Sequence, residues 1–456
     1  MNRGRLTAAA LGAAAIGMTV MANGEQHPNT EAARPLAHEV PHAAALLSPP
    51  TTAECLQIFG FRCYRPAQLE RAYDLTSLHR AGIDGSGRTI LIVDSFGSPT
   101  IANDLRVFDR TFGIPDPPDL EIRQDAGRVP AFDPNNGDMA GWADETTLDV
   151  EWSHVFAPGA RIVLEETPVS ETEGVQGFPE IVKAENYAID HGMADVISQS
   201  FGATEQTFPT ADSLLDLRSS FSNARRHRVT VIASSGDTGA AGLLPDSQCC
   251  YQQRAIEWPS SDPLVTSIGG TRLHLDRAGD RTQPDTVWQD GGGGLSVVFK
   301  RPSFQHTVAD VVGKRRGIPD VSMSAATDGA VVTYHTFLPS DDATQDGPWH
   351  IISGTSEGAP EFAGIVAMAD QLAGRRLGHI NKALYSLDYG RDGLVDVTVG
   401  NNTFSFLDMH DNTVTVPGFA AAAGYDLASG LGTVDAARLV RALAASGGDQ
   451  GDTSAP

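Results

Sequence analysis

The chain has 456 residues, 41% of them hydrophobic, enough for one large globular domain or two ordinary ones. Its 57 acidic side chains against 33 basic ones leave a formal charge of −24, which argues against nucleic acid or an anionic membrane as partner and suits a protein that stays dissolved in mild acid. No second core and no internal repeat is evident.

In chain order, Arg3 and Arg5 precede an apolar stretch over 6–21, and Val20-Met21-Ala22 offers a small-residue cleavage site. Residues 1–22 therefore read as a secretory signal peptide. The stretch is too short and too rich in Ala and Gly for a membrane anchor, and no later segment could span a bilayer. The protein is expected to be secreted and extracellular, with no stable membrane association once the signal is removed. Residues 23–66 read as a short N-terminal extension, 67–445 as one large domain, and the polar, Gly-rich residues 446–456 as a disordered tail. Four cysteines fit an oxidising destination. Cys55 and Cys63 are expected to close a small loop, whereas the adjacent Cys249 and Cys250 can bridge each other, stay reduced or pair elsewhere. Zinc spacing is absent.

From residue 88 onward strands alternate with helices. Strands are predicted over 88–93, 161–165, 194–198 and 229–233, and helices over 100–112, 179–191 and 213–226. Such βαβ alternation builds a mostly parallel sheet with helices on both faces, an α/β fold whose sites lie at the carboxyl ends of strands.

Three motifs fall on this frame. Glu145 and Asp149, four residues apart, share one face of a helix. Alone such a pair is a solvated acidic face; sharing a proton, it can do acid and base work. The strand over 229–233 ends in Ser235-Gly236-Asp237, where the aspartate is either an Asx-turn residue or, protonated, a hydrogen-bond donor. Ser356, in Ser353-Gly354-Thr355-Ser356-Glu357-Gly358-Ala359-Pro360, stands before an apolar helix over 361–372. A serine there is an N-cap or a nucleophile steadied by the free N–H groups of the helix start. A nucleophilic serine needs a base, and none of the 13 histidines, His154 included, lies in a pattern that supplies one.

Together these residues resemble the sedolisin family of serine-carboxyl peptidases, which look like subtilisins with glutamate as the base. The family's Glu-x-x-x-Asp falls on Glu145 and Asp149, its Ser-Gly-Asp on Ser235 to Asp237, and its Ser-Gly-Thr-Ser-x-x-x-Pro on Ser353 to Pro360. Further stretches agree in order, among them Ser198-Gln199-Ser200-Phe201-Gly202, Trp258-Pro259-Ser260 and Pro319-Asp320-Val321-Ser322, so that the likeness runs from about Tyr73 to about Leu443. The resemblance implies a subtilisin-like, single catalytic domain. It makes Ser356 the nucleophile, Glu145 the general base and then acid, Asp149 its orienting partner and Asp237 the oxyanion donor. It also implies one structural calcium ion held by the side chains of Asp396 and Asp426 and the carbonyls of Val397, Ala422 and Gly424, of which Ala422 replaces the family's usual glycine. Hard cations take such oxygen ligands.

The implied activity is a secreted, acid-acting peptidase on peptides or proteins, expected to be monomeric. A catalytically silent homologue that binds peptides is the alternative, and a histidine-dependent subtilase a third. Asp94, at the end of the first strand, matches the aspartate of that third reading and is expected to be structural. The glycine run 291–294 lacks the Lys-Ser/Thr and the helix of a phosphate loop and is assigned to the cleft. One departure from the family stands out: residues 23–66 leave no room for its long pro-domain.

Overall fold

The structure is a computed structural model that describes residues 38–39, 46–245, 249–338 and 347–446. The expected signal sequence, most of 23–45 and the expected tail beyond Ser446 lie outside the described residues. Strands are numbered here as β1 (His38–Glu39), β2 (Cys63–Tyr64), β3 (Thr89–Ser95), β4 (Leu120–Arg123), β5 (Arg161–Thr167), β6 (Val196–Gln199), β7 (Thr230–Ser234), β8 (Thr266–Arg272), β9 (Thr286–Val287), β10 (Gly294–Lys300), β11 (Val321–Ser324), β12 (Ala330–Tyr334) and β13 (Trp349–Ser353). The principal helices are α1 (Ile101–Phe112), α2 (Gly137–Phe156), α3 (Phe178–Asp190), α4 (Ser219–His227), α5 (Thr355–Ala373) and α6 (Ala436–Ala445).

Along the central strands every second apolar side chain turns to the opposite face. Ile90 and Ile92 of β3, Ile162 and Leu164 of β5, and Ile232 of β7 enter one core, with Phe362 and Val366 of α5 and Leu148 and Trp152 of α2. Leu91 and Val93, Val163, and Val231 and Ala233 enter the other, with Phe178 and Ile181 of α3 and Phe221 of α4. Two cores on two faces require a sheet covered on both sides. The resulting order is β9-β8-β7-β6-β3-β5-β4, with β11 also on β8; only β9 runs antiparallel to its neighbour. This is the expected α/β sheet with helices on both faces.

Two elements differ from expectation. The helix predicted over 213–226 is divided into Ala211–Leu215 and Ser219–His227, parted where Arg218 turns its guanidinium onto the buried Asp262. The helix predicted to begin at residue 361 begins at Thr355, which puts Ser356 in its first turn and Pro360 inside it.

A smaller sheet, ordered β1-β13-β12-β2, lies beside the site. Cys63 and Tyr64 of β2 pair in parallel with β12 and are fully buried in the first core, so the segment just before residue 67 belongs to the folded body. Cys55 is bonded to Cys63 as expected, and Cys249 is bonded to Cys250, the pairing left open by the sequence.

Arg316 and Asp320, both fully buried, form a two-pronged ion pair, and Asp320 also accepts from Ser267 N, Tyr385 Oη and Asn381 Nδ2. Removing one partner strands a buried charge. Asp320→Ala is therefore expected to destabilise the protein by about 3–5 kcal/mol, read from denaturant unfolding; a loss below about 1 kcal/mol would mean that the guanidinium finds water instead.

Candidate active site

Glu145 and Asp149 stand on α2, whose start is capped by Asn136 accepting from the N–H groups of Asp138 and Met139. From Glu145 to Phe156 every residue of this helix is buried. It crosses α5 closely at Gly364, where a side-chain carbon would lie 2.6 Å from Phe156 Cβ. The two helices that carry the candidate base and nucleophile are thus packed on one another through a glycine.

Ser356 follows β13 and Gly354, whose φ of 135° favours glycine. Pro360 has no N–H to give to the carbonyl four residues back, which is that of Ser356. The Ser200 hydroxyl stands 3.4 Å from this freed oxygen and donates to Asp149 Oδ1 at 2.7 Å. Ser200, just past the end of β6, therefore ties the nucleophile's backbone to the acid pair. The Ser356 hydroxyl donates to Ser200 O at 3.4 Å, and no hydrogen bond joins it to Glu145 among the described residues.

Asp237 lies beyond the carboxyl end of β7, after Gly236, whose φ is 106° and whose missing side chain leaves space for Glu257; a carbon there would lie 2.7 Å from the Glu257 carboxyl. Asp237 Oδ1 accepts from Thr355 N at 2.8 Å and Thr355 Oγ1 at 2.7 Å. Thr355 Oγ1 in turn accepts from Gly236 N at 3.1 Å. This threonine fixes Asp237 against the start of α5. The glycine run meets the same turn: Gly292 N donates to Gly236 O and Ser235 Oγ to Gly292 O, and the strand β10 follows where a phosphate loop needs a helix.

Glu145, Asp149 and Ser356 are 0% exposed and Asp237 4%, so these carboxyls are largely cut off from water. Burial pushes Asp149 well above the ordinary aspartate range, and the neighbouring carboxylates of Asp94 and Glu145 push it further, against the Ser200 hydrogen bond. Burial raises Asp237 to about 8, opposed by its two bonds from Thr355 and aided by Asp290. Glu257 and Glu357 are likewise raised, first by burial; the Glu173 and Asp237 carboxylates add to Glu257, and Asp237 adds to Glu357 against a Ser324 hydrogen bond. The charges acting on these groups are carboxylates. Such a cluster favours the neutral, proton-bearing form.

Asp94, expected to be a structural acid, stands at the carboxyl end of its strand. It is fully buried at the end of β3, raised to about 7 by burial, and close enough for its charge to act on Asp149. His154, on α2, bonds Pro115 O and faces Asp109, away from the acid pair's contacts.

At the expected metal position Asp396 Oδ2 accepts from Gly424 N at 3.0 Å, while Asp396 Oδ1 is buried with no hydrogen-bond partner. Asp426 Oδ1 takes the N–H groups of Ala428 and Ser429, and Asp426 Oδ2 only that of Ala422. An orphaned carboxylate oxygen and a half-used one on glycine-bearing turns fit a hard cation. Among the described residues no group of three or more His, Cys, Asp or Glu side chains is disposed to hold a metal ion, so a site here depends on main-chain carbonyls.

The chain is 31% identical over 396 residues to kumamolisin from Bacillus sp. (strain MN-32), an alignment covering 83% of this chain and 63% of the relative. It is 26% identical over 392 residues to sedolisin from Pseudomonas sp. (strain 101), covering 82% and 60%. A tripeptidyl-peptidase of Aspergillus fumigatus is 30% identical over 378 residues, covering 76% and 55%. The chain thus spans about 60% of the length of the first of these relatives. The fold matches that of a Pseudomonas sedolisin, a serine-carboxyl proteinase solved with pseudo-iodotyrostatin, with a TM-score of 0.66 at 24% identity over 85% of this chain and 99% of that one. No protein-family model matches the chain.

Proposed function

We propose that the chain is a serine-carboxyl peptidase of the sedolisin type that it resembles, and that it hydrolyses peptide bonds in acid through an acyl-enzyme on Ser356. The carrying observation is the enclosed set of carboxyls around a helix-start serine: Asp149 held by Ser200, and Asp237 held by Thr355. When a substrate carbonyl enters, the Ser356 hydroxyl turns from Ser200 O to Glu145. Glu145 accepts its proton, Ser356 Oγ attacks the carbonyl carbon, and Asp149 keeps the glutamate in place and shares its charge. Protonated Asp237 donates to the developing oxyanion, with the N–H groups at the start of α5 beside it. Glu145 then returns the proton to the leaving amine, and water completes the cycle by the same route in reverse. The protein is secreted by way of residues 1–22 and works as a monomer on peptides or proteins; no helix among the described residues is long and apolar enough to cross a membrane.

The test is digestion of a mixed peptide library at about pH 4, chosen below the range in which the raised carboxyls ionise, with the products sequenced. New termini at internal bonds are expected from wild type. Peptide binding without hydrolysis would favour the silent homologue instead.

We also assign a structural calcium ion to Asp396 and Asp426 with the carbonyls of Val397, Ala422 and Gly424. The ion supplies positive charge between two acidic turns, and its loss is expected to lower the melting temperature. A chelator titration of wild type and of Asp396→Ala checks this. An identical melting curve with and without chelator removes the metal.

A further inference from the structure

Polar side chains of α2 meet β12 along its length. Toward the end of the helix, Trp152 Nε1 donates to Val332 O at 3.3 Å, and Glu151 accepts from Tyr334 N at 3.1 Å. Farther back, at the residue before the candidate base, Asp144 Oδ1 stands 3.0 Å from Nε2 of His335, which directly follows β12. β12 pairs in turn with β13, the strand that leads to Ser356. The strand pair that delivers the nucleophile therefore also touches the helix turn that carries Glu145.

His335 is 3% exposed. Its ring stacks on that of His350 in β13, with centroids 3.5 Å apart, and on that of Phe337 at 4.2 Å, each tilted by 19°. Two rings so close and so nearly parallel cannot share one face, so the imidazole is sandwiched between them. Phe132, four residues before the Asn136 cap of α2, meets Phe337 edge-on at 5.7 Å. A ring packed on both faces acts through its edge, and the Nε2 edge meets Asp144. Histidine takes up a proton in mild acid, which makes this contact an ion pair. Among the described residues, the other charged groups against this strip are Glu151 of α2, Asp104 of α1, which accepts from Thr336 N and Oγ1, and His350 itself.

We propose that His335 is a positioning residue for hydrolysis, which through Asp144 sets the α2 turn that presents Glu145 to Ser356. The inference rests on the peptidase reading above. Glu151 and Trp152 lie six and seven residues beyond Glu145, about 9–10 Å along the helix axis, so their bonds to β12 leave the setting of this turn to Asp144. Proton transfer from Ser356 to Glu145 requires the two within hydrogen-bond reach, and a small rotation of the turn is felt directly in the rate.

The test compares wild type, His335→Phe, Asp144→Asn and the double variant on one peptide substrate at about pH 5, between the ordinary values of a carboxyl and an imidazole. Assays are run well below the melting temperature of each protein. Phenylalanine keeps the ring stack and removes the nitrogen; asparagine keeps the size and removes the charge. Each single variant is expected to lower kcat by about 10–10²-fold with KM unchanged. The double variant is expected to lose no more than the larger single loss, because both changes break one contact. Lower melting temperatures with an unchanged kcat for the folded enzyme would make the contact structural and overturn the proposal. Single losses that multiply in the double variant overturn it as well. A wild type that cuts while both single variants match it overturns the positioning role alone; a wild type that binds the peptide without cutting it overturns the peptidase reading and this one together.

Discussion

Ser356→Ala and Glu145→Gln are each expected to lower kcat on a peptide substrate at acid pH by at least about 10³-fold while the protein stays folded. Ser356→Ala removes the oxygen proposed to form the acyl ester. Glu145→Gln keeps the size of the side chain and removes its ability to take a proton. It also removes one of the two carboxylates whose charge acts on Asp149, so the melting temperature is expected to hold or rise. Asp237→Asn is a milder case. An amide donates at every pH, but Asp237 is held through Oδ1 by Thr355, and an amide placed there must keep its oxygen toward that threonine to aim its NH₂ at the substrate. Loss of an oxyanion donor of this kind costs about 10²–10³-fold; a loss well below that range fits an amide that takes this orientation. Near-full activity of Glu145→Gln, measured as kcat against substrate concentration, would show that the base lies elsewhere.

What the sequence carried was the local chemistry. Glu145 and Asp149 were legible because four residues fix one face of a helix whatever surrounds it, and the strand ending in Asp237 because its apolar run stops at a glycine turn. Ser200 and Thr355 were not legible as working residues. Ser200 matters because Pro360, 160 positions later, frees the Ser356 carbonyl that it meets, and Thr355 because Asp237, 118 positions earlier, lies against it. Those are contacts between chain-distant elements, set by the order β7-β6-β3 in the sheet. The nearness of Asp94 to the site is illegible for the same reason: as a strand-end acid it is ordinary, and only the placing of β3 beside β6 under α2 brings its charge to Asp149. The apolar pattern that predicts this helix begins only at Phe362, whereas the helix start before it, Thr355 and Ser356, is polar and is held by Asp237 rather than by an amphipathic stripe.

The protein is expected to melt about 5–20 °C lower at pH 8 than at pH 4, the reverse of what surface carboxylates paired with arginines produce. Burial holds Glu185 at about 7 and Glu173 at about 8, with Asp94 at about 7 and Asp237 at about 8 in the site. Glu171, Glu257, Glu357 and Glu361 are pushed up in the same direction, burial again being the first cause. In the unfolded chain such groups titrate near about 4. Between these values the folded state binds more protons than the unfolded one, so stability is fully present below about pH 4 and falls as pH rises toward about 8. One group works against the trend. His154 is buried and held down to about 4, so it takes stability away as pH falls below its unfolded value of about 6.5. A tenfold change in proton affinity is worth about 1.4 kcal/mol, and one histidine is outweighed by at least four carboxyls displaced the other way. Because Asp237 itself stays protonated to about 8, oxyanion donation survives at neutral pH. The alkaline fall in activity is then set by ionisation of the coupled carboxyls and the loosening of the fold, and it should become irreversible where the melting temperature approaches that of the assay. Calorimetric melts from pH 3 to 9, paired with activity regained after return to pH 4, measure both. A melting temperature that is flat or rising across that interval would mean that these carboxyls are ionised in the folded protein and that its acid chemistry does not rest on their burial.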